Sequence, residues 1–497
     1  MNLKSLTLCL TLLVLSTVNA DDWPRFRGPN GSGVTASAVP TEFGHTKNLK
    51  WKLVLPGRGV SSPIVVGKKV FVTCYSGYGV PGGSEDIKDL KRHLVCLDRD
   101  TGKILWKRTV DGVSHEDPYR GMGVPAHGYT SHTPVSDGKQ VFCFYGKSGV
   151  VAYDMDGKQQ WHVKVGKESG RQEWGSAASP IEFEDLVIVN ASDESEALVA
   201  LDKATGKEKW RAEASGLAGV WGTPVLMKTP KSTEVVIAVP EEIWGLDAKT
   251  GAFNWYSPGP SDRSTSHSLV PVGDMVVSMG GRGGNSIAVK AGGKDKVSED
   301  HIVWEDRASG RFASPVAYKD VIFQVSGDVV ASYSAKDGKR IRQARIPGAA
   351  SGSRGGGFGG FRPDGGRGPE DRGSREGGDR DRRDERRGPG GDEQLTSTST
   401  QQRGGQERRG GFGGRSGRGG GGGFGRSIDY ASPIVAGDKL YVVMNSGKVH
   451  VFEATAELKL IKTNDLSEDA SGFAGSPAVS DSMLFLRSHS TIYCFAK

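Results

Sequence analysis

The chain has 497 residues, of which 36% are hydrophobic and 25% charged, and its formal net charge is +7. A chain of this length exceeds what one ordinary core supports, so we expect several domains or one large repeat fold. Its 10 Trp and 17 Phe exclude disorder along the whole sequence.

Residues 1–20 predict a secretory signal peptide. Lys4 supplies positive charge, an apolar run extends from Leu6 to Val18, and the segment ends in Asn19-Ala20, which is typical of a cleavage site. The run is shorter than the roughly 20 apolar residues that a membrane-spanning helix needs, and no other segment of the sequence approaches that length. We therefore expect an exported chain, periplasmic or secreted, without a membrane span. An uncleaved N-terminal anchor is the alternative.

A unit of about 40 residues then repeats along the sequence. Each copy begins with Ser/Thr-Pro, or Ser-Leu in one case, and passes through short β-branched strands separated by a Gly turn. The clear copies close with Leu-Asp-x-x-Thr-Gly-x-x-x-Trp. The eight copies start at Ser62, Thr133, Ser179, Thr223, Ser268, Ser314, Ser432 and Ser476. Four antiparallel strands per unit are typical of a β-propeller blade, which buries its faces only against neighbouring blades.

The two ends of the repeat region predict how the ring closes. Leu49–Val54 is a Trp-containing strand with no unit of its own, whereas Ser476–Lys497 has three strands and lacks the closing one. Together they complete one blade and remove free sheet edges. We therefore predict an all-β fold: an eight-bladed β-propeller formed by residues 21–346 and 428–497 and closed by N- and C-terminal strands.

The Asp-x-x-Thr-Gly elements are interpreted as structural. The Asp side chain can accept hydrogen bonds from backbone N–H groups of the turn, and the Gly supplies a positive φ. The Trp that follows falls on an outer strand, where it can fill the wedge between blades. The residues concerned are Asp98, Asp202, Asp247, Gly102, Gly206, Gly251, Trp106, Trp161, Trp210, Trp255 and Trp304.

Residues 347–427 form an insert rich in Arg and Gly. With 16 Arg, 11 acidic residues and 29 Gly, the insert carries +5 of the net charge, so the rest of the chain is nearly neutral. This composition cannot build a core, and we predict a disordered loop. Arg-Gly segments with isolated Phe also bind RNA. The acidic residues and the export signal instead favour a tether to a protein partner or a polyanionic surface over a nucleic acid.

The Ser-Pro start and the Leu-Asp-x-x-Thr-Gly-x-x-x-Trp ending resemble the PQQ-like repeat family. That family includes the propellers of quinoprotein alcohol dehydrogenases and the BamB-type scaffold subunit of the bacterial outer-membrane β-barrel assembly machinery. The resemblance covers Trp51–Lys497 apart from the insert, and the opening Asp22–Pro29 resembles the start of many exported bacterial members. It implies the fold and leaves two activities open, a scaffold and an oxidoreductase.

The cysteines bear on the choice between these activities. The resemblance implies that a dehydrogenase would carry an adjacent Cys-Cys disulfide beside PQQ, a stacked Trp, a Ca²⁺ or lanthanide ion and a catalytic Asp. Here the mature cysteines are isolated in strands: Cys74, Cys96, Cys143 and Cys494. The family's metal ligands and catalytic Asp cannot be assigned, so PQQ with Ca²⁺ is not favoured. Cys74 and Cys96 lie on neighbouring strands and could form a disulfide, although buried thiols are the commoner outcome.

The large insertions all fall on one predicted face of the ring. In a four-stranded blade, the loop between strands two and three opens on the same face as the link to the next blade. Tyr75–Arg92, Asp111–Thr130 and the 347–427 insert occupy such positions. Because binding residues gather on loops held by a rigid scaffold, we predict that this face is the working one.

Residues just before each Ser/Thr-Pro should ring the axial funnel on that face. Most are small, but His132 and His267 are not, and they stand three blades apart, too far to assume a shared metal. Basic and aromatic neighbours could hold a flat anion by charge and stacking. The predicted cofactor-binding residues are Arg58, His132, Trp174, Trp221, His267, Arg311 and Tyr430. The favoured alternative is that these side chains simply plug the channel.

Two functions follow from the sequence. The favoured one is an exported, non-enzymatic scaffold that binds a protein partner or a ligand, because no catalytic constellation can be assembled from the residues. The alternative is an alcohol or sugar dehydrogenase that uses PQQ or another cofactor in the axial funnel.

Overall fold

The computed structural model describes residues 22–121, 123–281, 284–297, 299–308, 310, 312–347 and 430–497. Strands of these residues form eight sheets, each with four antiparallel strands, and two sheets carry one further short strand. First strands of neighbouring sheets contact one another, so they surround the axis of the ring. The predicted eight-bladed β-propeller is confirmed.

Blades 1 to 4 follow in chain order, and their strands are given from the axis outward. Blade 1 is Ile64–Val66, Lys69–Ser76, Lys91–Asp98 and Ile104–Asp111; blade 2 is Val135–Ser136, Gln140–Phe144, Val150–Asp154 and Gln159–Val163. Blade 3 is Ile181–Phe183, Leu186–Ala191, Ala197–Asp202 and Glu208–Glu213; blade 4 is Val225–Lys228, Thr233–Val239, Glu242–Asp247 and Phe253–Pro258.

Blades 5 to 8 complete the ring. Blade 5 is Val270–Val272, Met275–Ser278, Asn285–Lys290 and Ile302–Arg307; blade 6 is Val316–Tyr318, Val321–Ser326, Val329–Ser334 and Arg340–Arg345. Blade 7 is Ile434–Ala436, Lys439–Val443, Lys448–Glu453 and Leu460–Asp465; blade 8 is Ala478–Ser480, Met483–Arg487, Thr491–Phe495 and Leu49–Val54. The further strands are Val34–Thr35, parallel to the first strand of blade 7, and Asp295–Lys296, parallel to the fourth strand of blade 4.

Helices are few and short in the described residues. The α-helices are Val124–His127 and Ser192–Ser195, and the 3-10 helices are Pro29–Gly31, Ile87–Asp89, Gly146–Ser148, Ser215–Leu217 and Glu299–His301. Within this part of the chain, no helix has the length and apolar character needed to cross a membrane.

Blade 8 closes the ring with strands from both ends of the chain, as predicted. Leu49–Val54 pairs antiparallel with Thr491–Phe495, and Trp51 lies opposite Cys494. Apolar side chains of adjacent blades fill the space between their sheets: those of blades 2 and 3 form one such cluster. Each blade is therefore stabilised by its neighbours, as a propeller requires.

The Ser/Thr residue that starts each repeat forms a closed ring of hydrogen bonds around the axis. In every blade its backbone N–H donates to the hydroxyl oxygen of the equivalent residue in the next blade, and Ser476 donates to Ser62 to complete the circle. The N···O distances are 2.9 to 3.0 Å for Ser62, Thr133, Ser179, Thr223, Ser268, Ser314, Ser432 and Ser476. Sequence reasoning used these residues only as markers of the repeat.

The Asp-x-x-Thr-Gly turns of blades 1, 3 and 4 fasten each of these blades to the one before it, because each turn accepts a hydrogen bond from a Trp of that preceding blade. Their structural interpretation is confirmed. Asp202 Oδ1 accepts a hydrogen bond from Thr205 N at 2.9 Å. Trp161 of blade 2 donates from Nε1 to Lys203 O at 2.8 Å. A Cβ at Gly206, whose φ is 72°, would lie 2.7 Å from the Trp161 ring. Only glycine therefore fits beneath the indole.

Trp255 lies on an outer strand as predicted, but its indole N–H does not donate to the next blade. Its Nε1 donates to Glu234 Oε2 of its own blade at 2.8 Å. The strand Asp295–Lys296 from blade 5 lies beside it.

The segment Asp22–Thr35, called here the N-terminal segment, crosses the axial channel. It contacts the inner strands of five blades through Val65 of blade 1, Ser136 of blade 2, Pro224 of blade 4, Pro315 of blade 6 and Val435 of blade 7. Fourteen residues thus connect blades that are distant around the ring.

The loops between strands two and three and the links between blades open on one face, called here the loop face. The two large insertions of blade 1 are slightly shorter than predicted, because the flanking strands extend to Ser76, Lys91 and Asp111. These loops pack into a small core of their own, with Tyr75, Leu90, Val124 and Tyr129 buried.

The four cysteines of the described residues are unpaired and buried, and no disulfide joins Cys74 to Cys96. They occupy the second and third strands as expected. The predicted signal peptide, residues 1–20, lies outside the described residues. So does the predicted insert, residues 347–427, apart from Pro347.

Candidate functional site

A group of buried charged side chains lies on the loop face between blades 1, 2 and 3. We call it the acidic cluster: it contains Glu116, Asp117, Asp193 and Glu194 with the cations Arg92 and Lys147. The first two acids come from the link between blades 1 and 2, and the last two from the short helix Ser192–Ser195 between strands two and three of blade 3.

Two of the carboxylates are paired with cations. Arg92 donates to both Glu116 carboxylate oxygens at 2.6 and 2.8 Å. Lys147 Nζ donates to Asp117 Oδ1 at 2.8 Å. Burial alone would raise the pKa of Glu116, but the Arg92 charge holds it below its ordinary value.

These two cations direct nearly all of their donors to the protein. The Arg92 guanidinium also donates to Tyr129 O and Ser148 Oγ, at 3.1 and 2.9 Å. The Lys147 ammonium also donates to His115 O and Ser169 Oγ, at 2.9 and 2.6 Å. Their positive charge is therefore committed to the protein.

Asp193 and Glu194 have no cationic partner among the described residues. Burial raises the pKa of Asp193 to about 7. Burial and the neighbouring Asp193 charge raise that of Glu194 to about 8. Asp193 Oδ1 and Glu194 Oε2 are buried without a hydrogen-bond partner. Both pKa values are raised because desolvation outweighs the hydrogen bonds from Trp221 and Ser176 and, for Asp193, the attraction of the Lys147 charge.

Two tryptophans adjoin these acids. The rings of Trp174 and Trp221 stack with centroids 5.5 Å apart and an interplanar angle of 24°. Trp221 Nε1 donates to Asp193 Oδ2 at 3.0 Å. The stacked pair therefore connects the link after blade 2 with the link after blade 3 at the edge of the acidic cluster.

His132 joins the acidic cluster through a serine hydroxyl. His132 Nε2 lies 3.0 Å from Ser176 Oγ, and that hydroxyl donates to Glu194 Oε1. Burial lowers the pKa of His132 to about 3, so its ring is neutral. In a Ser-His-acid triad the carboxylate contacts the histidine. Here it contacts the serine instead, and the arrangement is not that of a serine hydrolase.

Two cavities open among these groups. The first is small, partly open to solvent, and lined by residues of the acidic cluster together with His127, His132 and Ser176. The second is smaller, is lined by Arg58, Tyr75 and His489 among others, and shares His127 with the first.

The structure brings some of the predicted site residues together and separates others. Arg58 lines the second cavity and donates from Nη2 to His489 Nδ1 at 2.9 Å. His132, Trp174 and Trp221 lie at the acidic cluster, as described above. Arg311 lies outside the described residues.

The other two predicted residues lie elsewhere on the ring. His267 is buried in blade 5, where its Nε2 lies 2.9 Å from Ser278 Oγ. Tyr430 packs on Phe312 with ring centroids 4.8 Å apart, at the junction of blades 6 and 7. The equivalent positions before each blade predicted that these residues would surround one axial funnel. Instead, the inserted loops bring the polar groups together over blades 1 to 3.

Sequence reasoning missed Glu116, Asp117, Lys147, Asp193 and Glu194. One signal was available: the dipeptide Asp193-Glu194 follows directly on a buried strand, where a short propeller turn would be expected. Glu116 pairs with Arg92, and Asp117 pairs with Lys147. Each acid is more than 20 residues from its cation in the sequence, so no local pattern connects them.

Comparisons with known proteins place this geometry in a family. Residues 76–216 and 166–299 match the family model described as "Outer membrane protein assembly factor BamB". A polyvinylalcohol dehydrogenase from a Pseudomonas species is 25% identical over 244 residues, covering 36% of this chain and 37% of that protein. The chain is a PQQ-like repeat β-propeller. It spans little more than a third of the length of the curated relatives it matches.

Solved structures share the fold of this PQQ-like repeat propeller at low sequence identity. A europium-containing methanol dehydrogenase has a TM-score of 0.59 and 11% identity, with 96% of this chain and 98% of that chain covered. BamB from Moraxella catarrhalis has a TM-score of 0.51 and 11% identity, with 90% and 97% covered. One is a dehydrogenase and the other an assembly factor, so the fold alone does not assign the activity.

The acidic cluster of the PQQ-like repeat propeller does not fit PQQ. That cofactor is a flat tricarboxylate, which requires cations with unused donors. The cluster offers four carboxylates against two cations whose donors are nearly all used within the protein. Among the described residues, no group of three or more His, Cys, Asp or Glu could hold a metal ion.

Proposed function

We propose that this propeller is an exported, non-enzymatic scaffold whose loop face binds a protein partner. The observation that supports it most is the acidic cluster: it is buried, ordered and charged, yet its cations are committed and do not suit an anionic cofactor. The loops around it pack on a core of their own. They therefore hold a surface of fixed shape, as partner recognition requires.

A capture experiment tests the scaffold. The full-length chain is used as bait in the exported fraction, and bound proteins are identified by mass spectrometry. Lys88→Glu with Arg171→Glu reverses two exposed charges on the loop face, and Lys103→Glu with Lys207→Glu reverses two on the opposite turns. We expect the first pair to abolish capture of a specific partner and the second to preserve it. Capture that both pairs leave unchanged would contradict the proposal.

The second candidate is a PQQ-dependent or other cofactor-dependent oxidoreductase. The named dehydrogenase relatives favour it, as does the stacked Trp174–Trp221 pair beside two carboxylates that titrate near neutral pH. The test is dye reduction with alcohols, sugars and polyvinyl alcohol after incubation with PQQ and Ca²⁺. The scaffold proposal expects no turnover and no change in the PQQ absorption spectrum. Turnover that is lost in Glu194→Gln would overturn the non-enzymatic assignment.

A further inference from the structure

The acidic cluster carries more negative than positive charge. The pairs Arg92–Glu116 and Lys147–Asp117 are neutral overall, with side chains at most 7% exposed. Asp193 and Glu194 then add two ionisable carboxylates that are 3% and 2% exposed. A buried charge without compensation is costly. The cluster therefore carries a net charge of −2 when both of these acids are ionised.

Two of the atoms without partners at this site are acceptors, and a third, the Tyr145 hydroxyl, can donate or accept. Glu194 Oε2 and His132 Nδ1 are buried and form no hydrogen bond. The His132 Nε2–H donates to Ser176, and Ser176 donates to ionised Glu194, so the His132 Nδ1 carries a lone pair. A ligand that satisfies these atoms must donate hydrogen bonds, and it must be positive to balance the carboxylates.

The residues that carry these two acceptors line the same cavity. Glu194 and His132 each contact the Ser176 hydroxyl and line the same cavity. Asp193 lies behind them, covered by Gly170, where a Cβ would approach its Oδ1 to 2.3 Å. Asp193 therefore contributes charge, while Glu194 and His132 are the groups that a ligand can reach.

We propose that the acidic cluster binds a primary ammonium group at Glu194 and His132, either from a lysine side chain of the partner or from a free amine. An ammonium is compact, and its three N–H donors suit the carboxylate oxygen and the imidazole nitrogen. In the lysine case the inference rests on the proposed scaffold function.

Binding of an ammonium group should release protons near neutral pH. The cation favours the ionised forms of Asp193 and Glu194, whose pKa values are about 7 and 8. Binding must then tighten as the pH rises from 6.5 to 8.5, since fewer protons remain to be displaced. A ligand that only covers the surface would not show this dependence.

The experiment uses isothermal titration of the full-length chain with n-propylammonium chloride, with Nα-acetyl-lysine amide and with 1-propanol as the uncharged control. We expect both ammonium compounds to bind at least 10-fold more tightly at pH 8.5 than at pH 6.5. Proton release should appear as a dependence of the heat on the buffer, and 1-propanol should not bind. Glu194→Gln should weaken binding at least 10-fold, whereas Glu213→Gln, which changes an exposed acid, should not.

Thermal melts confirm that each variant is folded. The inference is overturned if neither ammonium compound binds the wild-type chain, or if Glu194→Gln binds as the wild type does. Stronger binding of n-propylammonium than of the lysine derivative would identify a free amine as the ligand. Partner capture without amine binding would defeat this inference and leave the scaffold intact. Amine binding without capture of any partner would support this inference and contradict the scaffold proposal.

Discussion

The acidic cluster and the N-terminal segment bury charges of opposite sign, and they satisfy them differently. Arg25 and Arg27 of the N-terminal segment are 4% and 0% exposed, and within the described residues neither forms an ion pair. They donate instead to the carbonyl oxygens of Pro224 and Pro315. Burial lowers their pKa values to about 10 and about 9.

This difference indicates that the buried arginines stabilise the fold, whereas the buried carboxylates are available to a ligand. Carbonyl oxygens at the start of the inner strands are fixed by the ring, so a long guanidinium side chain can reach them from the axis. The N-terminal segment is therefore a structural closure of the channel. Asp193 and Glu194 each accept a hydrogen bond at one oxygen, from Trp221 and from Ser176, but the other oxygen of each is buried without a partner. Glu194 also lines a cavity.

Breaking an ion pair in the acidic cluster should have the largest effect on stability. Arg92→Met leaves Glu116 buried without its cation and should lower the free energy of unfolding by about 3–5 kcal/mol. Urea denaturation followed by Trp fluorescence measures it. Arg120→Met removes an exposed partner of Glu173 and should change stability by less than about 0.5 kcal/mol. Equal losses in the two variants would contradict the contrast.

A substitution in the N-terminal segment should cost somewhat less. Gly28 has a φ of 67°, and a Cβ there would lie 2.7 Å from the Trp23 ring. We expect Gly28→Ala to destabilise the chain by about 2–3 kcal/mol through strain and clash, without changing amine binding. Gly67→Ala is the matched control, since Gly67 has a φ of 56° with open space around it, and strain alone should cost about 1 kcal/mol.

Between pH 6.5 and 8, the change of the free energy of unfolding with pH should come from the titration of Asp193 and Glu194 in the acidic cluster. Asp193 and Glu194 have folded pKa values above their unfolded ones, so the native state binds more protons and stability falls as the pH rises. We expect a loss of about 2 kcal/mol across this window, measured by denaturation at several pH values. Asp193→Asn with Glu194→Gln should flatten it.

The buried histidines make the free energy of unfolding rise with pH instead of fall, and they do so at lower pH. His132 and His267 have pKa values of about 3 and about 4 in the folded chain, below the unfolded value of 6.5. The stability that the neutral histidines contribute is fully present above pH 6.5 and is lost as the pH falls towards 4. A stability that rose between pH 6.5 and 8 would show that the two carboxylates are not buried as described.

The smallest effect is expected at the neutral ring of hydroxyls. Ser432→Ala removes the acceptor of the Ser314 N–H and should destabilise the chain by about 1–2 kcal/mol, because a buried donor loses its partner. Ser261→Ala changes an exposed serine and should have no measurable effect. A silent Ser432→Ala would show that the ring marks the repeat without stabilising it.

Much of the fold was predictable because each blade repeats the same local chemistry. The strand Leu49–Val54 was predicted with its exact bounds, since its Trp and its position before the first unit left one place for it. The N-terminal segment was not predicted. Its sequence shows Trp, Arg and Gly without a period, and its partners lie in blades up to 400 residues away, as Val34 and Val435 do.

The candidate site was predictable only in part. His132 and Trp221 stood out because the repeat has small residues where His132 lies and because Trp221 adjoins the start of a blade. Glu116 and Lys147 look like ordinary surface residues in the sequence, yet they are buried and paired with Arg92 and Asp117. Their burial depends on how two insertions fold against blade 2, which no spacing encodes.

By itself the sequence determined the number of blades, their strands and the closure by both termini, because those features follow from a local repeat of turns and β-branched strands. The tertiary structure decided where charge is buried. Two arginines donate to backbone carbonyls in the channel, whereas Glu194 lines a cavity and Asp193 is buried next to it in sequence. The reason is that desolvation depends on neighbours from distant loops and not on the residues next in sequence.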